Sequence, residues 1–102
     1  MSRYGITKAL EKEIKPEKVF DAAQVAFKQL GWEVYKMRSI AFLVEARITG
    51  DEGLILANVI VTVFGNSEIK ITLKSDTASQ ETVVKHTENI MAALEGAIAA
   101  KK

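Results

Sequence analysis

One histidine, His86, and no cysteine leave this sequence few ways to do covalent or metal chemistry. Thiol catalysis, disulfides and the usual thiolate zinc sites are excluded outright. His86 sits at the edge of an apolar helical stripe, beside Ile90 and Ala93, and reads as an ordinary helix-flank residue rather than an acid–base group. Asp51 and Glu52 lie between Gly50 and Gly53 without the further spaced carboxylates of a calcium loop, so they read as turn residues. No Lys-Ser/Thr follows these glycines and no helix begins there, which removes the phosphate-cradle pattern. The expectation is a chain that is not an enzyme, with no catalytic residue, no metal and no cofactor.

The polar residues that remain of interest are Glu45, Asn58 and Lys74, together with Trp32, and only strand pairing could bring them together. The elements that would do so are organised around Leu54 to Phe64, a nearly unbroken apolar run rich in β-branched residues, with turn signals before it at Gly50 to Gly53 and after it at Gly65 to Ser67. Trp32 to Met37 and Ile40 to Ile48 read as strands joined by a tight turn at Arg38-Ser39. Glu68 to Ser75 alternates as a half-buried strand. Residues 4 to 14 fit a strand, with a helix as the alternative. Lys15-Pro16 favours the strand, because the residue before proline is pushed to extended geometry.

Two amphipathic helices complete the reading. From Pro16 to Leu30, Val19, Phe20, Ala23, Ala26, Phe27 and Leu30 share one face, and Gly31 suits the left-handed helix end, where Trp32 could fold back on Phe27. The second helix starts near Thr77 or Ser79 and runs to about Ala100, burying Val83, Thr87, Ile90, Met91, Leu94, Ala97 and Ile98. The fold class expected is α+β: an antiparallel meander sheet of about five strands with two helices packed on one face, in the order βαββββα, as a single domain over residues 1–102.

Turn lengths then set the registers. A loop from Gly50 to Gly53 pairs Thr49 with Leu54, a Gly65-to-Ser67 loop pairs Phe64 with Glu68, and the Arg38-Ser39 turn pairs Tyr35 with Phe42. These registers put the apolar sets on one inner face. On the outer face they line up Trp32, Glu45, Asn58 and Lys74 in one row and leave Leu43, Leu56, Ile60 and Phe64 toward water. An apolar patch beside a short polar row marks a partner surface.

Net charge is +1, so no strong field draws in nucleic acid, and the outer face carries only Lys36, Lys70 and Lys74 near its apolar residues. The first 14 residues lack the apolar segment of a signal peptide and no membrane segment is evident, so a soluble, cytoplasmic chain is expected, with no nucleic-acid or membrane partner.

The element order resembles that of TATA-binding-protein-like domains. Pro16-Glu17-Lys18-Val19-Phe20-Asp21-Ala22, followed by Gly31-Trp32-Glu33-Val34, is similar to the helix start and end of small uncharacterised bacterial domains of that order, many of them lipoproteins. The resemblance implies no activity and no catalytic residues, and the absence of cysteine departs from the lipoprotein pattern. The same helix start is similar to that of helix-grip lipid-binding domains, which are longer and wrap a deeper pocket. Two functions are therefore carried forward. The first is a homodimer formed through Trp32, Leu43, Glu45, Leu56, Asn58, Ile60, Phe64 and Lys74. The second is a small apolar ligand held between sheet and helices near Phe27, Phe42, Met91 and His86.

Overall fold

The computed structural model describes residues 2–11, 14–63 and 67–100. Its elements run β1 (Ser2–Ala9), α1 (Pro16–Gln29), β2 (Glu33–Arg38), a short 3-10 turn (Ser39–Ala41), β3 (Leu43–Gly50), β4 (Gly53–Thr62), β5 (Glu68–Ser75) and α2 (Gln80–Ala100). The strands form one antiparallel sheet in the order β1-β5-β4-β3-β2. The chain thus begins at one edge, crosses one face in α1, and meanders back until β5 meets β1. Both helices pack on that face, α1 against β2, β3 and β4, and α2 against β1, β5 and α1.

Residues 2–9 form a strand because Tyr4 and Ile6, two apart, can both face α2 and the core, standing opposite Leu73 and Ile71. Pro16 opens α1 at a position where its missing N–H costs nothing, after an extended Lys15. At the other end Gly31 has φ 81°, the Trp32 N–H donates to the Phe27 carbonyl at 2.8 Å and the Gly31 N–H to the Lys28 carbonyl at 3.2 Å. This is the Schellman ending, and the hydrophobic contact that accompanies it joins the Phe27 and Trp32 rings at 5.7 Å. The core around it holds Val19, Phe27, Val44, Val59, Ile71, Leu73, Ile90 and Leu94, all essentially solvent-free. Thr87 is equally buried, and its hydroxyl is satisfied by the Val83 carbonyl at 2.8 Å.

The β3–β4 register matches the expected one, with Thr49 opposite Leu54 and Ile48 opposite Ile55. The β4–β5 register differs by two residues: Thr62, not Phe64, pairs with Glu68. An even slip keeps every side chain on its expected face but moves Lys74 from Asn58 to Leu56, and brings Thr72 opposite Asn58. Phe64 itself lies outside the described residues.

The β2–β3 connection is the larger correction. No Arg38-Ser39 turn forms. The chain makes a 3-10 turn over Ser39–Ala41 and then places Phe42 in the left-handed region at φ 50°. That conformation costs a Cβ-bearing residue about 1 kcal/mol or more. Here the Phe42 carbonyl accepts the Val61 N–H at 3.3 Å, and the ring packs against the core. Ile40, expected to open the strand that runs to Ile48, instead sits at the loop tip and is 97% exposed. The longer loop moves Lys36 opposite Glu45, and a bulge at Tyr35 shifts the pairing so that Val34 stands opposite Ala46.

The start of α2 is tied to the β3–β4 turn. Ser79 caps the helix, its hydroxyl accepting the Thr82 N–H at 3.2 Å. From the turn, the Glu52 carboxylate accepts the Ser79 N–H at 3.0 Å and the Thr82 hydroxyl. Gly53, at φ 100°, passes so close to Thr77 that a Cβ there would collide with its side chain.

Candidate interaction surface

The outer face of the sheet, opposite the helices, is built by the alternate residues of each strand. Three rows cross it. Asn58 at the centre has Glu45 and Lys36 on one side and Thr72 and Gly5 on the other; the row above holds Leu56 between Arg47 and Lys74, with Glu33 and Arg3 beyond them; the row below holds Ile60 between Leu43 and Lys70.

Of the expected interface residues, Leu43, Glu45, Leu56, Asn58 and Ile60 lie together on this face, half-buried by their neighbours, and Lys74 is on it one row from Asn58. Leu54 extends the apolar stripe and is 46% exposed. Trp32 does not join it. It is 5% exposed on the helix side, tilted at 54° against the Phe27 ring and meeting the His86 ring edge-on at 5.7 Å, because the Schellman ending turns it inward before β2 begins. Lys36 takes the place in the row expected for Trp32.

The polar groups are arranged as follows. Asn58 Nδ2 donates to Glu45 Oε1 at 3.3 Å, and Lys36 Nζ stands 3.9 Å from Glu45 Oε2. The Arg47 guanidinium donates to both Glu33 oxygens at 3.2 and 3.3 Å and lies over the Tyr35 ring, 5.4 Å from its centre. Hydrogen bonding and the positive charge of Arg47 hold the Glu33 carboxyl below its ordinary value and Arg47 correspondingly above. Tyr35 is pushed up, first by loss of hydration and then by the nearby Glu45 charge, with Arg47 opposing.

Between these groups lies a groove of about 320 Å³, with Leu56, Asn58 and Ile60 as its floor and Tyr35, Thr72 and Lys74 among its walls. Arg3 also lines it, brought there because β1 pairs with β5. Sequence reasoning missed Arg3 and Tyr35; pairing β1 with β5 was the signal that could have found Arg3.

On the helix side, the place expected for a ligand is closed at Phe27 and Met91 but open beside His86. Phe27 is sealed against Trp32 and Met91 is buried. Two depressions lie at the ends of the helix layer. One of about 180 Å³ is lined by Leu10, Ile14, Ile69 and Ile98 behind the Lys8–Glu95 ion pair at 2.9 Å. The other, of about 200 Å³, lies under Glu52 and His86. Among the described residues no group of three or more His, Asp or Glu could hold a metal ion, and no helix is long and apolar enough to cross a membrane.

No protein-family model matches the sequence, and no curated protein matches it. Solved structures do share the fold. A protein from Nitrosospira multiformis, determined as a structural genomics target, superposes with a TM-score of 0.63 at 8% identity, over 97% of this chain and 94% of that one. Ara h 8.0201 superposes with a TM-score of 0.56 at 13% identity, over 97% and 99% of the two chains. A protein from Thermus thermophilus gives 0.50 at 11% identity, over 99% and 98%. At such identities the likeness is one of architecture alone.

Proposed function

We propose that this chain is a non-enzymatic interaction module that pairs with a second copy of itself through the outer face of its sheet. The observation that supports the reading is β4. Its inner residues Ile55, Ala57, Val59 and Val61 are sealed by the helices, while Leu54, Leu56 and Ile60 on the other side, with Leu43 beside them, have no layer above them.

Magnitude decides what kind of pairing this is. Five strands of about eight residues present roughly 24 by 26 Å, or about 600 Å² a side, which places the contact at the low end of specific interfaces. The dimer is therefore a weak, reversible one, half-populated in the micromolar range. Sedimentation velocity across that range is expected to show a concentration-dependent dimer. Ile60→Lys, which puts a charge opposite Lys70 in the middle of the stripe, is expected to make the chain monomeric with its helical circular dichroism intact. A wild-type chain that stays monomeric at every concentration ends the proposal.

The second reading, an apolar ligand between sheet and helices, has narrower support. The Leu10–Ile98 depression, at about 180 Å³, is close to a cavity that holds one benzene-sized group, so it suits an aromatic ring and not a lipid chain. A thermal shift with small aromatics but not with fatty acids would favour it.

A further inference from the structure

The outer face carries a charge arrangement that the apolar stripe does not explain. Arg3 and Lys74 stand directly opposite each other on β1 and β5, and Lys70 projects on the same side of β5, two pleats from Lys74. Like charges at paired positions destabilise a sheet. None of the three belongs to an ion pair among the described residues, whereas Lys36 and Arg47 across the same face are paired with Glu45 and Glu33. At the centre of the three cations the sheet is cut down to Gly5 and Thr72. Gly5 has no side chain, and a Cβ there would lie 3.4 Å from the Thr72 hydroxyl. Arg3 is also held in place. Its N–H donates to Gln80 Oε1 at 3.2 Å and its carbonyl accepts from Gln80 Nε2 at 2.9 Å, fixing the strand to the first turn of α2.

We infer that the bay over Gly5 and Thr72 binds a small multivalent oxyanion of the phosphate class, held by Arg3, Lys70 and Lys74. An arginine fork, two ammonium groups and the Thr72 hydroxyl lining one groove are the donors such an anion needs. The coupling to assembly rests on the dimer reading above. A face that buries these cations in a two-fold contact gathers six like charges, so an anion that neutralises them strengthens the dimer, and by reciprocity the dimer binds the anion more tightly.

The test uses inorganic pyrophosphate at fixed ionic strength, on the wild-type chain and on Ile60→Ser, which weakens the stripe without altering charge. Saturable amide shifts at Gly5 and Thr72 are expected in both chains. Lys70→Gln with Lys74→Gln is expected to weaken binding at least about tenfold while circular dichroism stays unchanged. Pyrophosphate, but not sodium chloride of equal ionic strength, is expected to tighten the wild-type dimer several-fold. No saturable shift in either chain, or undiminished binding by the double variant, overturns the site whether or not the chain dimerises. Binding with an unchanged dimer constant overturns the coupling alone. Tighter retention of a single-stranded oligonucleotide than of pyrophosphate at equal phosphate concentration overturns the small-anion class.

Discussion

Glu52 shows how much one side chain can do from a turn. Placed in a turn that would otherwise only reverse the chain, it reaches α2, where its carboxylate accepts from both the Ser79 N–H and the Thr82 hydroxyl at the positive end of the helix. The Thr82 bond, then the Ser79 backbone bond, holds the Glu52 carboxyl below its ordinary value of 4.5. A depressed carboxylate stabilises the fold above its unfolded pKa, and the contribution is lost as pH falls through the lower, folded value. Glu52→Gln is therefore expected to be less stable than wild type at neutral pH. In urea melts the gap should narrow on moving to about pH 3. A gap independent of pH would mean that shape, not charge, is what Glu52 supplies. Asp51 and Glu52 read as turn residues in the sequence because the partners of Glu52 are 27 and 30 positions away, beyond any local pattern.

Among the elements, α1 was the most legible and the β2–β3 hairpin the least. Helix α1 carries its own start and stop in Pro16 and Gly31, and its apolar spacing names its buried face. Gly31→Ala keeps every contact, since nothing lies within 4 Å of the added Cβ, yet forces alanine into φ 81°. The expected loss is about 1 kcal/mol, measured by thermal unfolding. The hairpin carries no glycine or asparagine between Met37 and Leu43, so no favoured turn type is encoded and the tertiary contacts of Phe42 decide the loop instead. The longer loop alone shifts the register by an even number and keeps every face; the one-residue bulge at Tyr35, which no local pattern announces, is what turns Trp32 to the other side. By contrast, the two-residue slip between β4 and β5 left Leu43, Leu56 and Ile60 outside as expected, because side-chain alternation tolerates even errors and punishes odd ones.

The molecule as a whole depends on a single inner layer. Phe27 joins α1 to the sheet and, through Trp32 and His86, to α2, so removing its ring strikes a place where all three meet. Phe27→Ala is expected to cost about 3–5 kcal/mol, a large part of the roughly 5–15 kcal/mol that holds a domain of this size together. The melting temperature should fall by about 15 °C or more in a calorimetric scan. A fall of only a few degrees would show that the layer repacks.

The irregular pairing around Tyr35 reaches beyond the hairpin it distorts. It interrupts β2, the strand at the open margin of the sheet, and the charged residues Glu33, Lys36 and Arg38 line that margin. Backbone-to-backbone stitching of one molecule onto the next is thereby discouraged along this side. A pair formed by stacking, as proposed, would use up its surface after one partner and have no free face from which to grow into a filament.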